Sequence, residues 1–150
     1  MPYSTLDTDA LANIVTAQQV NFFSHPIFSG VKICNLWVEQ VPPQIANVVR
    51  AVRGRILSYC IIRIDTEVPR HQHTNDGEIY FGGEPCATVI LENPGTEIQH
   101  FIMGNNTRCA LLLPGGFHSV SSRQSTTFFG VKFEIETRDS PRWAESLPPQ

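Results

Sequence analysis

The second half of this 150-residue chain predicts an all-β fold of the sandwich or barrel type, and two observations carry that prediction. From Ile56 onward the chain divides into short segments rich in β-branched and aromatic residues. Turn signals punctuate them: Gly82-Gly83, Asn93-Pro94-Gly95, Gly104-Asn105-Asn106 and Pro114-Gly115-Gly116. Short strands with such regular punctuation belong to sandwiches and barrels.

The elements follow in order. Leu11, Ile14 and Val15 keep helical spacing behind Thr8 or Asp9 as caps, which predicts a short N-terminal helix. Pro26 to Gly30 reads as a loop, Val31 to Glu39 as a strand from its partial alternation, and Pro42-Pro43 as a break. The stretch Ile45 to Val52 stays open, since Ile45, Val48, Val49 and Val52 share a helix face while valine favours strands. Strands are then expected at Ile56 to Asp65, Glu78 to Phe81, Ala87 to Leu91, Glu97 to Met103, Arg108 to Leu113 and Thr126 to Glu136. Three prolines between Ser140 and Gln150 predict an irregular tail. No repeat is visible, so one domain is expected over 1–150, with a core at about 55–135, an N-terminal extension at 1–54 and a tail at 137–150.

Composition narrows the function. With 41% hydrophobic and 17% charged residues, the chain reads as one compact soluble globule. Its net charge is -3, and its 11 Lys and Arg are scattered, which argues against nucleic acid as a partner. The apolar run Cys109 to Leu113 falls well short of the roughly 18 residues of a membrane span. The acidic start, with neither a basic segment nor an apolar signal core, leads to an expectation of a cytoplasmic protein. Cys34, Cys60, Cys86 and Cys109 form no Cys-x-x-Cys pair and are expected to be reduced and packed as small hydrophobes.

One segment carries chemistry. Period-two geometry puts His71 and His73 on one face of an extended strand, and Asn75-Asp76-Gly77 then signals a turn before Glu78. A four-residue hairpin loop would pair His73 directly with Glu78 and place Tyr80 opposite His71. Two imidazoles and a carboxylate so gathered form a facial triad suited to Fe(II), Mn(II), Ni(II), Cu(II) or Zn(II), with positions left for substrate. His100 sits among alternating apolar residues and points either into the barrel or to solvent, as does its neighbour Gln99 in the opposite sense. Arg63 is a candidate for binding a substrate carboxylate if it points inward, and Tyr59, Cys60 and Phe133 are candidates for lining a cavity. His25 reads as a loop residue.

The run from His71 to Gly83 resembles the first motif of the cupins: His-x-His, a short spacer, Glu and a downstream glycine. Pro114-Gly-Gly-Phe-His118 resembles their second motif, with one residue between Gly116 and the histidine. The resemblance covers about residues 55–135. It implies a double-stranded β-helix, or jelly-roll barrel, with His118 as a fourth metal ligand. It also implies a homodimer acting on a small molecule through one divalent transition metal, Fe(II) being favoured. Dioxygenase-type oxidation is the leading expectation, with Glu78, Tyr80 and His100 as catalytic candidates. A nonredox isomerase, cyclase or lyase, and a binding protein without turnover, are the alternatives.

Overall fold

The computed structural model describes residues 22–65, 67–82, 87–103 and 109–135. Among the described residues, ten strands and one α-helix follow in order, with a 3-10 turn at Val38–Gln40 before the helix: β1 (Phe23–Ser24), β2 (Val31–Leu36), α1 (Pro43–Ala51), β3 (Gly54–Ile64), β4 (Val68–Gln72), β5 (Gly77–Phe81), β6 (Ala87–Glu92), β7 (Gln99–Ile102), β8 (Ala110–Leu112), β9 (Phe117–Ser122) and β10 (Thr126–Ile135). They form a six-stranded sheet in the order β1-β2-β3-β10-β5-β8 and a four-stranded sheet in the order β4-β9-β6-β7. Every pairing is antiparallel. The all-β prediction holds, in the two-sheet arrangement of a cupin jelly roll.

Alternation along the strands builds two cores. Ile64, Tyr80, Leu112 and Phe128 of the larger sheet meet Val68, Val89, Leu91 and Val120 of the smaller one. The opposite parity of the larger sheet, with Tyr59, Ile61, Ile79, Phe81, Phe129, Val131 and Phe133, packs on α1 through Ile45, Val48 and Val49. This settles the ambiguous segment as a helix. Pro43 stands in its first turn, where a missing N–H leaves nothing unsatisfied. Burying each of the three apolar side chains contributes roughly 1.5–3 kcal/mol, against a helix-propensity penalty for valine below about 0.7 kcal/mol.

The expected N-terminal helix, Cys86 and the C-terminal tail lie outside the described residues. Strand β9 went unpredicted because Phe-His-Ser-Val-Ser-Ser has three serines and reads as polar, yet His118 and Val120 alternate inward between them. A second difference matters more. The expected hairpin between His73 and Glu78 does not form: β4 belongs to the four-stranded sheet and pairs with β9, whereas β5 belongs to the six-stranded sheet between β10 and β8. Thr74 to Gly77 is a passage from one sheet to the other. Glu78 stands opposite Leu112 and Lys132, and His71 opposite His118 rather than Tyr80. Loop length and turn residues cannot distinguish a hairpin from such a corner, because both reverse the chain within a few residues.

Candidate metal centre

Three imidazoles converge between the sheets, by a route other than the expected hairpin. His71 and His118 are directly opposed on neighbouring strands, with ring centroids 4.2 Å apart. His73 joins them just beyond the end of β4, 4.7 Å from His118 and 5.0 Å from His71 between centroids. One nitrogen from each of the three lies within 4.8 Å of the others. The turn before β9 holds His73 in place: Gly115 N–H donates to the His73 carbonyl at 2.6 Å, and His73 N–H donates to the Gly116 carbonyl at 3.0 Å. Gly115 has φ +87°, a left-handed conformation for which glycine is the usual residue. The two sequence motifs are therefore bonded to each other through their main chains.

The protonation states suit a cation. His71 Nδ1 lies 2.8 Å from the Pro69 carbonyl and donates to it, which leaves the lone pair on Nε2. His73 Nδ1 lies 3.4 Å from a Glu78 carboxylate oxygen, so the same argument exposes a lone pair on its Nε2. These two Nε2 atoms are 3.2 Å apart. Two lone pairs facing each other repel, and a cation between them turns that repulsion into attraction. Burial holds His118 at about 2, with His71 and His73 adding to the effect, and burial likewise holds His73 at about 4, ahead of the influence of His71. Neutral imidazole is the form that binds metal.

Glu78 and Tyr80 face this group from the opposing sheet. The Tyr80 hydroxyl donates to one Glu78 oxygen and lies 3.1 Å from His118 Nδ1. Burial raises the Glu78 carboxyl, an effect that the Tyr80 hydrogen bond and Lys132 oppose, and it pushes the Tyr80 phenol well up. The Glu78 carboxylate touches His73 yet stands outside the three-nitrogen group. The structure does not bring His100 to the site. It lies exposed on the edge strand β7, opposite Ile90 and off the cavity wall, because its parity is that of the sheet's outer face.

A cavity of about 470 Å³ opens over the histidines. Cys60 lines it, but Tyr59 and Phe133, of opposite parity, are buried against the helix side. Arg63 points away, bonded to Asp65 and Ser125. His25, read from sequence as a loop residue, is part of the cavity wall: its Nδ1 accepts from the Ile27 and Phe28 N–H groups, and Phe28 packs against His71 at 4.7 Å. The N-terminal extension thus covers the histidines. Only the His-Pro-x-Phe turn composition hinted at this, and nothing local says where such a turn docks.

No family model and no curated protein matches the chain. Solved structures do. An oxalate oxidase in complex with the substrate analogue glycolate matches over 80% of this chain and 58% of its own, at 13% identity and TM-score 0.50. A RmlC-like cupin from Shewanella frigidimarina matches over 80% of this chain and 88% of its own, at 14% identity and TM-score 0.49. A CENP-C domain from Drosophila melanogaster matches over 74% and 70%, at 11% identity and TM-score 0.46. The chain has the cupin fold, with a three-histidine group in its cavity that fits a metal ion. Among the described residues no helix is long and apolar enough to cross a membrane.

The buried histidines give a pH prediction for the metal-free protein. A histidine whose folded value is depressed binds its proton more readily when unfolded, so stability is lost as pH falls below the ordinary value near 6.5. At pH 5 His73 and His118 each cost on the order of 2 kcal/mol. Glu78, raised on folding, runs the other way and offsets part of this. Urea unfolding at pH 7.5 and pH 5 is expected to show a net loss of stability at the lower pH; an unchanged midpoint would refute the buried neutral state of His73 and His118.

Proposed function

We propose that the chain is a metal-dependent enzyme acting on a small organic molecule, and that His71, His73 and His118 hold one divalent transition metal. The observation that supports this most directly is the pair of Nε2 atoms at 3.2 Å with a third imidazole beside them, all lining one cavity. When bound, the metal supplies a Lewis-acid centre with exchangeable positions for substrate oxygens and, if it is Fe(II), for dioxygen. Dioxygenase-type oxidation is our leading reading. Three protein ligands leave enough positions for both co-substrates, and apolar side chains enclose the site.

This chain's own groups manage the proton. Glu78 accepts a hydrogen bond from Tyr80 and lies beside His73, so it is placed to take a proton from a bound substrate and hold it, as its upward shift favours. Tyr80 keeps the carboxyl oriented and remains protonated. The same Glu78-Tyr80 pair supports the second reading, a nonredox isomerisation or lyase step in which proton transfer alone is needed.

Nitric oxide, which occupies dioxygen's place on ferrous iron, tests the oxidation reading. Addition of nitric oxide to anaerobic Fe(II)-loaded protein is expected to give the S = 3/2 electron paramagnetic resonance signal of a ferrous nitrosyl, lost in His71→Ala. Iron that is bound stoichiometrically yet gives no such signal would remove the oxidation reading and leave the proton-transfer one.

A further inference from the structure

The cavity has two chemically different halves. Lys132 and Glu78 are directly opposed on β10 and β5, so the lysine enters the cavity beside the carboxyl that touches His73. Among the described residues that line the cavity, Lys132 and Glu78 are the Lys, Arg, Asp or Glu side chains. The Glu78 oxygens are turned toward Tyr80 and His73. Among the described residues, the nearest anion to the Lys132 ammonium is Asp76, at 3.9 Å, with the two side chains 43% and 34% exposed. That separation exceeds a hydrogen bond, and so exposed a pair contributes little. Away from the lysine the wall is apolar: Phe28, Ile33, Ile62, Ile64, Val120 and Phe128.

Gly130 lies between these halves on the same strand, two residues from Lys132 and two from Phe128. A Cβ there would stand 2.7 Å from Ile62 Cδ1 and 3.7 Å from Cys60 Sγ, so the Ile62 side chain takes the place that a larger residue at Gly130 would fill and brings its apolar end between Lys132 and Phe128.

We infer that the cavity takes a small monocarboxylic acid with an apolar body, its carboxylate held by the Lys132 ammonium and its body laid against Phe28, Ile62 and Phe128. This rests on the reading that a small organic molecule binds in the cavity, and it adds the class of that molecule. A lysine ammonium opposite a half-buried carboxylate forms a charge-assisted hydrogen bond that an uncharged amide matches poorly.

The test compares 3-phenylpropanoate with 3-phenylpropanamide by calorimetry, on EDTA-treated and on Co(II)-loaded full-length protein. The acid is expected to bind about 10- to 100-fold more tightly than the amide, the range of a hydrogen bond to a charged group. Lys132→Gln should abolish the preference by weakening the acid alone, and Lys132→Arg should keep it. Asp76→Asn, which removes the anion competing for Lys132, should tighten the acid by about 2- to 5-fold, as expected of an exposed pair.

Equal binding of acid and amide, no binding of the acid at millimolar concentration, or a preference that survives Lys132→Gln would each overturn the proposal. Failure of the metal reading looks different: no Co(II) is taken up, while the metal-free protein still prefers the acid through Lys132.

Discussion

Replacing His118 with alanine is expected to lower the affinity for a divalent metal by more than about 100-fold, since even loss of a residue that merely supports a ligand costs 10- to 100-fold. His118 is 3% exposed, the most enclosed of the three histidines, and its neighbours on the paired strands are His71 and Leu91. Nothing else among the groups facing it replaces a neutral imidazole, because the Tyr80 phenol is pushed well up and the Glu78 carboxylate is turned toward His73 and Tyr80. His100→Ala is the matched control. It removes an exposed imidazole from the outer face of β7 and should leave metal affinity unchanged. Isothermal titration with Co(II) or Zn(II) on both variants reads the difference, and wild-type affinity in His118→Ala would be incompatible with the site described.

The second large effect is on stability. A Cβ at Gly77 would lie 2.3 Å from Phe133 Cζ and 2.7 Å from the Leu112 carbonyl oxygen. Neither neighbour can move away easily. Phe133 is fully buried in the core formed with Ile79, Val131 and α1, and Leu112 is tied into the ladder with β5. Gly77→Ala should therefore cost about 3 kcal/mol, the upper part of the range for overpacked cores. In a chain of this size that corresponds to a fall in Tm of roughly 6–12 °C. Thermal unfolding followed by circular dichroism checks it, and Phe133→Leu in the same chain should recover part of the loss by withdrawing the ring. A variant that melts with the wild type would show that β5 and β10 are not packed as described. The same glycine precedes Glu78, so the close approach that fixes it also fixes where the carboxyl enters the cavity.

Much of this was legible in the sequence, and the exceptions have physical causes. Strand content could be read because β-branched segments and glycine or proline turns are local signals, and the histidines could be read because their spacing is local too. How they converge could not be read. A hairpin pairing His73 with Glu78 and a corner that sends Glu78 into the other sheet use the same Asn-Asp-Gly turn, and the choice is made by the burial of Ile79 and Phe81 against α1, far away in sequence. Parity sorted the remaining candidates once the strands were paired, putting Cys60 inside and Arg63 outside and leaving His100 on an exposed edge. His25 and Phe28 were missed because a covering segment is defined by what it covers. Lys132 carried no motif at all, and only its register opposite Glu78 brings it into the cavity.

The central claim is that three histidines from two separate stretches of the chain hold one metal ion. Anomalous diffraction from crystals of the Co(II)-loaded protein tests it most directly. A single cobalt peak is expected about 2.0–2.2 Å from Nε2 of His71, Nε2 of His73 and a ring nitrogen of His118. A protein that takes up no cobalt at saturating concentration, or a peak bonded to any other set of side chains, would contradict the account.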